Sequence, residues 1–338
     1  MKKIAILLPC YNEEPTIGKV ICDFRAVLPD AEIYVYDNNS TDRSAAIAAE
    51  NGAIVRHVPV QGKGSVVRKM FLDVDADCYL MVDSDDTYPA AAAPQLIAPI
   101  LDGSAEMVIG DRLSTNYFDV NKRPFHSFGN TAVRGMIQFF FHRRIADVMT
   151  GYRAFSRLFV KNCPILKNGF ELETEMTLFA LDRRLTVMEV PIEYRERQAG
   201  SISKLHTFRD GFQVIRTVIR AVRQYRPLFF YCMLSLFCFF VAAVFFLPVL
   251  IEYYRTGLVP RFPTLICSVA MTLTGFLMLV CGLILNSIKY HFNCLFEQRL
   301  HEKKLGAKHP TLGRLSFACR LLADRVCFIF EQRLHEKK

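Results

Sequence analysis

The chain has 338 residues, 51% of them hydrophobic, and a formal charge of +9. Its mean hydropathy of +0.19 is high for a soluble enzyme, and its basic residues are dispersed, which disfavours a nucleic-acid partner and favours anionic lipid. The 11 cysteines form no C-x-x-C pair and no His–Cys metal spacing, which disfavours a zinc finger or disulfide scaffold and fits small buried residues in a reducing compartment.

The first 200 residues alternate between short apolar runs and helical periodicity. Lys3 to Leu8 reads as a strand ended by Pro9, and Thr16 to Leu28 as a helix with Ile17, Val20, Ile21, Phe24 and Leu28 on one stripe. Ile33 to Tyr36 is the next strand, and Ser40 is the expected N-cap of an Ala-rich helix closed by Asn51-Gly52. Strands are expected over Ala53–Val58, Asp77–Val82 and Met107–Gly110, with helices over about 65–74 and 94–101. Such alternation predicts an α/β domain with a mostly parallel, doubly wound sheet and ligands beyond the strand C-termini.

Three polar clusters each follow a strand: Asn12-Glu13-Glu14, Asp37-Asn38-Asn39 and Asp83-Ser84-Asp85-Asp86. An Asp-rich segment can be an ordinary turn whose side chains bond their own backbone. Carboxylates crowded at a strand end also repel, and hard oxygen donors suit Mg²⁺ or Mn²⁺ far better than Zn²⁺. The repeated placement at strand ends favours an active site. Gly62-Lys63-Gly64-Ser65 does not complete a P-loop, so ATP hydrolysis is disfavoured.

No charged residue occurs from Pro227 to Ile251 or from Phe262 to Ile288. Each stretch exceeds the roughly 20 residues that cross a bilayer. Arg216, Arg220, Arg223 and Arg226 precede the first, and Lys289, Arg299, Lys303 and Lys304 follow the second, so the positive-inside rule puts both ends in the cytoplasm. Before the first span, Phe208, Phe212, Ile215, Ile219 and Val222 form a stripe beside arginines. That pattern fits an interfacial helix on lipid phosphates or a helix packed on its own domain. The segment Phe296–Lys304 recurs letter for letter as Phe330–Lys338, in what reads as a basic amphipathic tail. The expected organisation is a catalytic domain over 1–205, an interfacial helix over 206–226, two spans within 227–290 (about 227–251 and 262–288), and a cytoplasmic tail over 291–338. This describes a multi-pass protein of the cell (inner or plasma) membrane with a cytoplasmic catalytic domain.

Five motifs, Pro9-Cys10-Tyr11-Asn12-Glu13-Glu14, Asp37-Asn38-Asn39-Ser40-Thr41-Asp42, Gly62-Lys63-Gly64, Asp83-Ser84-Asp85 and Gly200-Ser201-Ile202-Ser203-Lys204-Leu205, appear in one order. In that order the chain resembles family 2 glycosyltransferases of the GT-A fold, of the polyprenyl-phosphate sugar synthase type. The resemblance implies a nucleotide pocket lined by Pro9, Tyr11, Glu13, Asp37, Lys63 and Asp83. It implies a D-x-D pair in Asp83 and Asp85, with Asp85 on an Mg²⁺ or Mn²⁺ ion. The mannose synthases carry Gln where this chain has Thr87, and Asp86 is the expected replacement ligand. Processive polysaccharide synthases need a Q-x-x-R-W motif, and this chain has no Trp.

The implied reaction moves a hexose from a nucleotide sugar, UDP-glucose first and UDP-N-acetylglucosamine next, to a polyprenyl phosphate. Cations must then receive the acceptor phosphate. Arg112 and Arg123 are the preferred pair, with Arg153 and Lys204 as further candidates, though each arginine also fits an ordinary surface or ion-paired role. Glu171 and Glu173 are candidates for the sugar hydroxyls, or simply an acidic first helical turn. Two other readings stay open: a glycolipid synthase with a non-phosphate acceptor, and a non-catalytic membrane-anchored nucleotide-sugar-binding protein. Homo-oligomerisation through the spans is a further expectation.

Overall fold

The computed structural model describes residues 2–115, 126–166, 172–195, 216 and 218–308. Contacts divide the chain into two compact units, residues 1–225 and 226–338.

The first unit opens with β1 (Ile4–Cys10), α1 (Ile17–Val27), β2 (Glu32–Asp37), α2 (Ser44–Glu50), β3 (Ile54–His57), α3 (Lys63–Asp73) and β4 (Cys78–Met81). It continues through α4 (Ala93–Asp102), β5 (Met107–Asp111), α5 (His126–Phe141), β6 (Arg153–Ser156), α6 (Arg157–Asn162), α7 (Leu172–Asp182) and β7 (Val187–Pro191). The seven strands form one sheet in the order β3-β2-β1-β4-β6-β5-β7. Ala5, Ile6, Leu7 and Leu8 of β1 and all of β4 are fully buried, because helices cover both faces of these central strands. α1 turns Ile17, Val20, Ile21 and Phe24 into that core, and each such side chain contributes about 1.5–3 kcal/mol of burial.

The parallel expectation holds for β1, β2, β3 and β4 and for the β5–β7 pair. It fails at β6, which runs antiparallel to both β4 and β5 and makes the sheet mixed. Ser40 is not the cap of α2. The flanking residue is Arg43, and the Ser40 hydroxyl instead accepts the Asn12 N–H at 2.9 Å. Burial pushes the thiols of Cys10 and Cys78 up to about 12, which fits small inert core residues.

The second unit contains α8 (Pro227–Thr256) and α9 (Phe262–Lys308). Both are long and apolar enough to cross a membrane, and their most apolar windows are only 22% and 17% buried, unlike the core helices of a soluble protein. They pack through small residues. Ser235 Oγ donates to the Gly275 carbonyl at 2.8 Å, and a Cβ at Gly282 would lie 2.9 Å from Tyr231 Cβ. α9 continues well past residue 288. The stripe before α8 falls largely outside the described residues, which are helical over 218–225.

Candidate active site

Strand order reverses direction at β1 and β4, and crevices at such switch points are where open α/β sheets bind ligands. The strands that meet there lead into polar segments, Asn12-Glu13-Glu14 after β1 and Asp83-Ser84-Asp85-Asp86 after β4. The turn after β4 is stitched to the end of β1: Ser84 Oγ donates to the Pro9 carbonyl at 2.9 Å, and Thr16 Oγ1 donates to the Ser84 carbonyl at 2.7 Å. The loops after β1 and β2 are cross-linked as well. Asn12 Oδ1 accepts the Thr41 N–H at 2.8 Å, and the Glu13 N–H donates to Ser44 Oγ at 2.8 Å. Asn12 takes the left-handed conformation (φ 54°) that Asn tolerates better than most residues.

Asp37, at the end of β2, is buried and accepts the Ser40 N–H at 3.3 Å, with His57 Nδ1 3.1 Å away. Its neighbour Asn38 donates to the Val58 and Val60 carbonyls and accepts the Gly62 N–H at 2.7 Å. Asn38 thereby sets the start of α3, where Lys63 stands. Lys63 Nζ lies 2.6 Å from Asp83 Oδ1 and 2.8 Å from Glu173 Oε1, in the first turn of α7. Burial opposes the ammonium, but the two carboxylates hold its pKa above the ordinary lysine range. Asp85 is buried and accepts from Thr87 Oγ1 at 2.6 Å. Pro9 and Tyr11 flank the same crevice, both half-buried.

Three expected ligands are engaged elsewhere. Asp86 takes a left-handed conformation (φ 57°) and pairs with Lys19 at 2.8 Å and Arg195 at 3.6 Å, away from a shared ligand role with Asp83 and Asp85. Arg153 is 0% exposed and cannot meet an acceptor. It donates to the Val148 and Thr150 carbonyls and to Thr177 Oγ1, and burial lowers its pKa to about 10. Glu173 holds Lys63. Arg112 is oriented by partners that include the Asp147 side chain at 2.7 Å, the Met149 backbone carbonyl at 3.2 Å and the Tyr194 ring, whose centroid is 5.6 Å away. Arg123, Glu171, Lys204 and the Gly200–Leu205 motif lie outside the described residues.

Sequence reasoning passed over Asp147, which is fully buried beneath Arg112, and Tyr88, whose hydroxyl accepts the Gly151 N–H at 3.2 Å. A lone Asp in the run Ile145-Ala146-Asp147-Val148-Met149 was the available signal.

The donor set tests whether a divalent cation fits. Among the described residues no three His, Cys, Asp or Glu side chains converge into a metal cage. Two carboxylates from one turn, Asp83 and Asp85, are the pattern by which Mg²⁺ or Mn²⁺ is held together with substrate phosphates. The chemistry of the donors therefore fits such an ion.

The mixed sheet with a carboxylate turn at its switch point has the architecture of an α/β ligand-binding domain. Residues 5–162 match the family described as glycosyl transferase family 2. Protein RfbJ of Shigella flexneri is 56% identical over 109 residues, covering 32% of this chain and 84% of that protein. A dolichyl-phosphate hexose transferase of Haloferax volcanii is 30% identical over 223 residues, covering 66% of this chain and 95% of that one. Glucosyl-3-phosphoglycerate synthase from Mycobacterium tuberculosis, solved with Mn²⁺, UDP-glucose and phosphoglyceric acid, superposes with a TM-score of 0.50 at 24% identity. That match covers 65% of this chain and 79% of the other, and carries the fold alone. The chain belongs to glycosyltransferase family 2, and its first unit has the GT-A fold.

Proposed function

We propose that the protein transfers a hexose from a nucleotide sugar to a polyprenyl phosphate in one inverting displacement, with UDP-glucose the favoured donor and UDP-N-acetylglucosamine next. The observation that carries this reading is the meeting of Asp83, Asp85 and Lys63 at the switch point, in a chain that also has two helices fit to cross a bilayer. The dolichyl-phosphate hexose transferase supports a hexose donor and a lipid-phosphate acceptor.

In this reading Asp37 recognises the base or ribose edge, and Pro9, Tyr11 and Glu13 frame the nucleotide. Asp83 and Asp85 would hold Mg²⁺ or Mn²⁺, which supplies Lewis acidity toward the departing diphosphate. Lys63 adds a positive charge beside the same leaving group. A lipid phosphate is already ionised near neutral pH, so its oxygen attacks the anomeric carbon without a strong base. Arg112, held by Asp147, and Arg123 receive that phosphate. Positioning and electrostatics then account for most of the acceleration. The α8–α9 hairpin anchors the protein in the membrane, with the catalytic unit and both termini cytoplasmic, where nucleotide sugars are found.

Purified protein incubated with a panel of nucleotide sugars and polyprenyl phosphate tests the reading. A hexosyl-phosphoryl-polyprenol mass from one donor supports it. Transfer to diacylglycerol instead would point to a glycolipid synthase.

A further inference from the structure

Lys63 stands between two carboxylates with unequal access. The Glu173 side chain is 4% exposed and that of Asp83 is 28%, so one end of the bridge is sealed and the other opens to the crevice. A divalent cation at Asp83 would meet the ammonium at close range, and like charges a few ångströms apart in a partly buried site repel strongly. Something has to move. Asp83 has little room, because a Cβ at Gly151 would lie 2.7 Å from its Cγ, so the backbone walls it on that side. The Lys63 backbone is also fixed, since it opens α3 behind Gly62, whose N–H is held by Asn38. The four-carbon lysine side chain is the adjustable part.

We propose that Glu173 is a positioning residue for Lys63. The ammonium occupies Asp83 in the resting site; when a divalent cation and a nucleoside diphosphate arrive, it leaves Asp83, stays tethered to Glu173, and binds the diphosphate. This rests on the reading of Asp83 as a metal ligand and assigns Glu173 to the lysine rather than to sugar hydroxyls. A cation alone must displace the ammonium without offering it a new partner, whereas a diphosphate supplies one. Cation and diphosphate binding are therefore positively coupled, and by linkage each strengthens the other equally.

The test is Mn²⁺ binding to the full-length protein in detergent, read from the electron paramagnetic resonance of free Mn²⁺ with and without UDP. Wild type is expected to bind Mn²⁺ about tenfold more tightly when UDP is present. Lys63→Gln should bind Mn²⁺ more tightly than wild type in the absence of UDP and lose most of the enhancement by UDP. Glu173→Gln leaves Asp83 as the remaining carboxylate of the bridge and should weaken Mn²⁺ binding. That loss should vanish in the double variant, because Glu173 acts through Lys63. Thermal unfolding checks each fold, and Lys63→Met replaces Lys63→Gln if the latter does not fold. Unchanged or weaker Mn²⁺ binding by the Lys63 variant, or a Glu173→Gln loss that persists in the double variant, overturns the proposal alone. If Asp85→Asn leaves Mn²⁺ binding untouched, the metal reading fails and takes the proposal with it.

Discussion

Asp85 is where charge and chemistry meet most closely, because it is buried and fixed by Thr87. Asp85→Asn keeps shape and hydrogen bonding while removing the charge, so it should abolish most turnover and leave the unfolding temperature near that of wild type. Excess EDTA should do the same to the unaltered enzyme, and full activity in EDTA would contradict a metal role. Arg112 calls for a more careful comparison. Its partner Asp147 is 0% exposed at the side chain, so Arg112→Ala removes a charged hydrogen bond from a buried carboxylate that keeps the Met149 N–H, and should cost about 1.5–3 kcal/mol of stability, read from denaturant unfolding. Arg112→Lys keeps Asp147 compensated and isolates the loss of the planar fork. Hydrogen bonds to charged groups are worth about 1.5–3 kcal/mol, so acceptor efficiency in the alanine variant should fall roughly ten- to a hundredfold with little change in donor affinity. Loss of donor binding instead would move Arg112 to the diphosphate. Asp37, Asp83 and Asp85 stand out as candidates in the sequence because charged residues at the ends of apolar strands have few structural uses, whereas Lys63 is a candidate through the resemblance that Gly62-Lys63-Gly64 helps to carry. Asp86 carries the same letter and adjoins the same strand, yet its left-handed backbone turns it to Lys19 and Arg195, and residue type says nothing about that angle.

At the level of elements, the central strands could be read directly, since burial on both faces leaves an unbroken apolar run. β6 could not. Its four residues begin with Arg153, and a charge reads as surface unless the Thr177 hydroxyl and the Val148 and Thr150 carbonyls that satisfy it are known. β7 is an edge strand of mixed exposure and gives no clean alternation. The start of α2 misled for another reason, because the Ser40 hydroxyl that would cap a helix is used by the loop after β1. In the second unit, α8 and α9 approach closely at Gly282, whose Cβ would meet Tyr231 and Leu228. Gly282→Leu should push the helices apart and lower the thermal stability of the detergent-solubilised protein by several degrees, while Leu283→Ala, at an exposed position, should change it little. Equal effects of the two would show that the Gly282 approach does not hold the hairpin together.

For the whole molecule, the charge distribution around the hairpin sets its expected orientation. The end of α8 and the turn into α9 carry Glu252, Arg255 and Arg261, with Glu252 and Arg261 paired at 2.9 Å, whereas arginines and lysines crowd the outer flanks. A cysteine at Thr256, with the native cysteines replaced, should react with an impermeant thiol reagent in intact cells. Labelling of the catalytic unit instead would reverse the topology and separate the site from cytoplasmic nucleotide sugars. The proposed nucleophile at this site is a charged lipid phosphate. Turnover with labelled UDP-glucose, or with UDP-N-acetylglucosamine if that is the donor used, should be measured side by side on undecaprenyl phosphate, undecaprenol and diacylglycerol. Product is expected from the phosphate alone, lost on adding EDTA and in Asp85→Asn; equal transfer to the uncharged lipids, or none to the phosphate, would contradict a lipid-phosphate nucleophile.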